Sequence, residues 1–353
     1  MAKQFIYLLL IIAAFISCEK IYIPDLDNVD DLLVVEAILV SGKEQNDIYL
    51  YKTLNFNSKY KTYPAVTGAK IKLVDDLGKT IDLTEKSAGT YRLNGLLDNK
   101  RSYYLSIELD DDTYISEIQT VPAIPSIDSI YGAFDTRTIT SGAADSDEDI
   151  FTKTGLQIFT DIYYDGKLNH YRFSGQKILQ FKDYYSVPFM GTTIKKPIYC
   201  WRTYSLSGTF NIAGPPEYSS EKDIKKHRLE FFNQNYYELI ADTQDFAGWI
   251  YIIDQYGITE AAHEYYSDLK NQLEAEGKIF DPIYVQVEGN ITCSNNPEKV
   301  VLGNFEIASH KQYRYLLKYY NKKTTFSIRT ISEFHDIPSA GNIKNTPPDF
   351  WEY

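Results

Sequence analysis

The tightest constraint on the fold is an alternation of apolar and polar residues with period two, renewed between Leu32 and Ile124 in short runs. Leu33-Val34-Val35-Glu36-Ala37-Ile38-Leu39-Val40 is followed by Asp47-Ile48-Tyr49-Leu50-Tyr51 and Ala69-Lys70-Ile71-Lys72-Leu73-Val74. Asp75-Asp76-Leu77-Gly78 turns the chain and Thr80-Ile81-Asp82-Leu83 returns, with further runs at 89–93, 103–109 and 113–116. Successive side chains of a strand point to opposite faces, so each run can bury one face only against a second layer. Short strands recurring roughly every ten residues with turn residues between them mark a sandwich. Residues 32–124 are therefore expected to form an Ig-like β-sandwich.

Val121-Pro122-Ala123-Ile124-Pro125 interrupts the pattern with two prolines, which sheet interiors exclude, and places a domain boundary there. Beyond it, 127–131, 156–164, 170–175 and 177–181 alternate again, so the domain over 125–353 is expected to be β-rich. One segment breaks the period. From Thr259 to Glu276, Ala262, Tyr265 or Tyr266, Leu269 and Leu273 fall on a single helical stripe, with Thr259 able to cap the start and Gly277 the end. The expected fold is mainly β: an Ig-like sandwich, then a larger β-rich domain carrying one amphipathic helix over about 259–276.

The first residues carry a different signal. Lys3 precedes an apolar run from Phe5 to Ile16, which is too short for a membrane span of about 20 residues and ends at Ser17-Cys18 followed by Glu19-Lys20. Phe15-Ile16-Ser17-Cys18 reads as a lipobox. Residues 1–17 are the expected signal peptide, Cys18 the lipidated residue, and 18–31, dense in Pro, Asp and Asn, an extended tether. Two or more acyl chains make such an anchor stable.

A net charge of −12 and a pI near 5.0 exclude nucleic acid as a partner, because phosphate backbones require a basic face. With Cys18 acylated, Cys200 and Cys293 remain, an even number in a compartment that permits disulfides, and they are expected to pair. Such a bond would add about 4–5 kcal/mol on the chain-entropy model; the alternative is two buried thiols. The 31 tyrosines suit half-buried strands and also suit a binding face with large area and polar tips.

Catalytic motifs are missing from the sequence. His263-Glu264 opens like H-E-x-x-H, but Ser267 stands where the second zinc-binding His is required. The remaining histidines, at 170, 227, 310 and 335, are scattered. Asp145-x-Asp147-x-Asp149 is followed by Ile150 rather than the glycine of a calcium loop. No cofactor and no metal site is expected, and the chain reads as a non-enzyme. Asp128-Ser129-Ile130 fits a short O-glycosylation pattern, with Ser129 the candidate acceptor.

Several landmarks in fixed order resemble one family, the Bacteroidota lipoproteins of unknown function encoded beside TonB-dependent outer-membrane receptors. They include Ser17-Cys18-Glu19-Lys20, Leu33-Val34-Val35-Glu36, Gly89-Thr90-Tyr91, Tyr114-Ile115-Ser116, Pro125-Ser126-Ile127-Asp128-Ser129-Ile130, Gly289-Asn290-Ile291, Val301-Leu302-Gly303-Asn304-Phe305 and Pro347-Pro348-Asp349-Phe350-Trp351. The chain departs from the family in lacking clustered cysteines before the terminal Phe-Trp. The resemblance implies a surface-exposed outer-membrane lipoprotein working with a receptor barrel in ligand capture. A structural, adhesin-like or envelope-assembly role is the alternative, and a surface hydrolase a third.

Overall fold

The computed structural model describes residues 32–54, 62–141, 149–206, 210–216, 218–233, 248–274, 287–320, 325–330 and 343–344. Cys18 and the tether, most of the acidic stretch at 145–149, Gly277, His335 and the terminal Phe350-Trp351 lie outside them. The described chain is mainly β. Its strands are β1 (Leu33–Val40), β2 (Gln45–Lys52), β3 (Lys70–Asp75), β4 (Thr80–Asp82), β5 (Thr84–Ser87), β6 (Thr90–Asn94), β7 (Ser102–Leu109), β8 (Asp112–Ser116) and β9 (Gln119–Thr120). After the proline-rich connector come β10 (Ser129–Ser141), β11 (Asp149–Ile162), β12 (Tyr171–Phe189), β13 (Thr192–Ser205), β14 (Asn211–Ala213), β15 (Ile224–Asn233) and β16 (Gly248–Gly257). Helix α1 (Glu260–Glu274) precedes β17 (Ile291–Cys293), β18 (Val301–Tyr320), β19 (Thr325–Thr330) and β20 (Ile343–Lys344).

The first body is a sandwich, and its period-two pattern becomes burial directly. Leu33, Val35, Ala37 and Leu39 of β1 are buried while their neighbours face outward. They meet Ile71, Leu73, Leu105 and Ile107 of the opposing sheet, β17-β8-β7-β3-β4 with β9 beside β7, in one apolar core. Asp75 fixes the β3–β4 turn by accepting hydrogen bonds from the Leu77 and Lys79 amides at 3.0 and 2.8 Å.

The second body places the three-stranded sheet β10-β11-β15 on one face of a longer sheet. Leu156, Ile158, Leu229 and Phe232 pack there against Phe173, Leu179, Trp249, Tyr251 and Tyr315. The stretches 170–175 and 177–181, separate by sequence pattern, belong to the single strand β12. Gly175, at φ +149, allows Ile252 O to approach where a Cβ would stand 2.0 Å from it.

Strand β18 joins the two bodies. Val301–Ala308 pairs in parallel with β1, and Ser309–Lys318 pairs antiparallel with β16. The result is one eleven-stranded sheet ordered β20-β13-β12-β16-β18-β1-β2-β6-β5, with β14 and β19 alongside. Gly303, at φ +95, makes the parallel pairing possible, because a Cβ there would sit 2.0 Å from Val35 O. The later chain returns across the boundary expected at Pro125: β17 pairs with β8, and Val301, Phe305 and Ile307 complete the first core. The connector itself is pinned to the second body, where Ile127 N–H donates to Tyr313 Oη at 3.0 Å and Ser309 Oγ donates to Ala123 O at 2.5 Å.

This return explains why the expected disulfide is not formed. Cys293 lies on β17 in the core of the first body, its thiol 3.1 Å from Asn295 Oδ1, whereas Cys200 is buried on β13 of the second. The two are separate buried thiols carried on different sheets.

Candidate functional site

A cavity of about 510 Å³ opens where the two bodies meet. Its first wall is the β1–β2 turn, Val40 to Lys43, held by the buried Asn46: Val40 N–H donates to Asn46 Oδ1 at 2.8 Å, and Asn46 Nδ2 donates to Lys43 O at 3.3 Å. Ser41 N–H donates to Ala308 O at 2.8 Å, which ties this turn to the joining strand. Asn99 and Ile124 add an amide and an exposed apolar side chain.

The second wall is the outer face of β16 and β18. His310 Nε2 lies 2.8 Å from Asp254 Oδ1, which also accepts from Gln312 Nε2 at 2.9 Å, and the Tyr256 ring centre is 4.8 Å from the His310 ring. Behind Tyr256 the Arg172 guanidinium stands 4.5 Å above the ring and donates to Glu306 Oε1 at 3.2 Å. Tyr266 of α1 donates to Glu306 Oε2 at 2.6 Å, so the helix closes the cluster from above. A pocket with a fixed aromatic ring, an oriented imidazole, an ammonium and an amide is equipped to hold a polar ligand, and junctions between bodies are where such pockets concentrate.

Helix α1 begins as its sequence requires, with Ala262 N–H donating to Thr259 Oγ1 at 3.2 Å. Ala262 and Tyr266 are buried on the expected stripe, while Leu273 at its end is exposed. Three histidines with no sequence relation converge beside the helix. The rings of His170 and His263 are 4.9 Å apart, and His227 stacks on Phe173 at 5.4 Å with Nε2 2.6 Å from Asn211 Oδ1. Burial pushes His227 down to about 4, with the charges of Lys270 and His263 adding to it, and burial pushes His263 down to about 4 as well.

A depressed imidazole contributes stability that is complete above its ordinary value of 6.5 and is lost as the pH falls toward about 4. For His227 alone the loss is about 2–3 kcal/mol between pH 6.5 and 4.5. Denaturant titrations across this window will show a steeper fall for the native chain than for His227→Leu. Equal slopes would mean that the imidazole is accessible to protons in the folded state.

Ser129, the candidate acceptor, lies on β10 opposite Asp161, with its Oγ buried. Among the described residues no group of three or more His, Cys, Asp or Glu is placed to hold a metal ion, and no helix is long and apolar enough to cross a membrane.

The model of a family described as a domain of unknown function (DUF4249) matches residues 19–314, which span both bodies and reach into the joining strand. The chain belongs to this family. No curated protein and no solved structure matches it. For this DUF4249 member the junction pocket was invisible in sequence, because Lys43, Asn99, Tyr256 and His310 come from four distant segments brought together by the pairing of β18 with β1.

Proposed function

We propose that this DUF4249 protein is a lipid-anchored outer-membrane lipoprotein, exposed at the cell surface, that captures a polar ligand at the junction of its two bodies and partners a TonB-dependent transporter in its uptake. The observation that carries the reading is the junction pocket, with Tyr256, His310 and Lys43 converging from both bodies. Phe15-Ile16-Ser17-Cys18 supports the anchor, and the resemblance of the chain supports the receptor partner. Capture through oriented groups requires no chemistry on the ligand, only a preorganised surface.

The test is purification of the tagged, lipidated full chain from gently solubilised membranes. A receptor barrel co-eluting in near-equal amount is expected. Recovery of the chain alone, or with other envelope proteins in its place, would overturn the partnership.

A further inference from the structure

A second concavity of about 530 Å³ lies toward the C-terminal end of α1, between the helix, β14 and β15, distinct from the junction pocket. In a chain of net charge −12 its walls carry Arg137, Lys225, Lys226, Arg228 and Lys270 against two carboxylates, Glu230 and Glu274. Much of this charge has partners already. Glu230, with its side chain shut off from solvent, takes Lys177 at 3.0 Å; Lys225 pairs with Glu221 and Arg228 lies 3.7 Å from Asp135. Arg137, Lys226 and Lys270 have no carboxylate at ion-pair distance among the described residues.

One of these cations, Arg137, is held in place, and the backbone of a second, Lys226, is fixed while its Nζ stands 5.6 Å from the Phe159 ring centre. Gln157 is fully buried, and its Nε2 donates to Ile158 O at 2.8 Å and Glu230 O at 3.0 Å, which aims Oε1 at the Arg137 Nη2 that it accepts from. The guanidinium lies 4.5 Å above the Phe231 ring, and its Nε is buried without a hydrogen-bond partner. Lys226 sits at φ +55, a left-handed conformation that a lysine adopts only under constraint, beside the irregularity in the β11–β15 pairing. Its N–H donates to Asp161 Oδ1 at 2.6 Å, which holds the strained backbone in place. Strained backbone persists only where the surrounding structure holds it, and such positions cluster at ligand sites.

We infer that this groove binds the oxyanion of a soluble small molecule of monosaccharide size, carrying a phosphate, sulfate or carboxylate. The planar Arg137 fork matches such a group, and the Phe231 face holds the fork flat. The inference goes beyond ligand capture at the junction and does not depend on the transporter, since anion binding and barrel co-purification are separate readouts.

The test is calorimetric titration of the detergent-solubilised full chain at low salt with glucose 6-phosphate, glucuronate and glucose, and co-sedimentation with vesicles of phosphatidylglycerol or phosphatidylcholine. Saturable binding of an anionic sugar, none of glucose, and at least a tenfold loss in Arg137→Gln are expected. Lys270→Gln, at a half-buried position where the helix borders the groove, provides a variant independent of the Arg137 packing and is expected to weaken binding at least threefold, while Lys72→Gln, remote from the groove, leaves it unchanged. Equal binding of glucose, an affinity unmoved by both groove variants, or binding to phosphatidylglycerol vesicles alone would overturn the inference.

Discussion

Phe305→Ala is expected to lower the unfolding free energy by about 3–5 kcal/mol, the cost of removing a large ring from a core that cannot fully collapse around the void. Phe305 is fully buried in the first body, opposite Ala37 in the parallel pairing. Its backbone is clamped by Asn290, whose Oδ1 accepts from Phe305 N–H and whose Nδ2 donates to Phe305 O, both at 2.8 Å. The void would therefore open inside a strand fixed on both sides. Because β18 continues into the second body, the two bodies are expected to unfold together. Of the three tryptophans, Trp201 and Trp249 belong to the second body, so with Trp351 replaced by Phe in every variant, tryptophan fluorescence reads that part while circular dichroism reads the whole. Urea transitions followed by the two signals will coincide in the native chain and shift together in Phe305→Ala. An unmoved fluorescence transition would show that β18 does not couple the bodies.

The second large effect lies under α1. Arg172→Ala is expected to cost about 3–5 kcal/mol, because it leaves the Glu306 carboxylate buried without its cation. Glu306 has 1% of its side chain exposed and Arg172 15%, so water cannot replace the missing partner. Tyr266→Phe removes the 2.6 Å hydrogen bond to Glu306 and is expected to cost about 1.5–3 kcal/mol, in the range for a hydrogen bond to a charged group. The double variant Arg172→Met with Glu306→Leu is expected to recover much of the loss, since two apolar groups need no pairing. Hydrogen exchange locates the damage: amides of α1 will lose protection first in Arg172→Ala, because Tyr266 ties the helix to this cluster. Uniform loss of protection would instead mark a general weakening.

How much of this was legible in the sequence depended on the range of the interaction. The strands of the first body followed from alternation, since the burial of Val35, Ile71 or Leu105 depends on local spacing alone. The start of α1 followed from Thr259 and its stripe. The division at Pro125 gave no sign of β17 and the first half of β18, whose pairing partners stand far earlier in the chain. Parallel pairing leaves no turn between the strands to announce it. The cysteine count failed for the same reason, because parity is silent on the sheet that carries each thiol. Arg172, Glu306 and Tyr266 had no mutual spacing to find, and the convergence of His170, His227 and His263 arises only when β12, β15 and α1 pack.

Capture ahead of a receptor requires the folded chain to stand on the outer face of the cell, and a single cysteine tests that most directly. Leu77 is 69% exposed in the β3–β4 turn, while Cys200 and Cys293 are both buried. An acylated Cys18 would carry no thiol. Leu77→Cys is therefore expected to be the site that reacts with a membrane-impermeant maleimide, and to react as fully on intact cells as after the outer membrane is opened. Labelling that appears only after opening would place the protein in the periplasm and contradict capture at the surface.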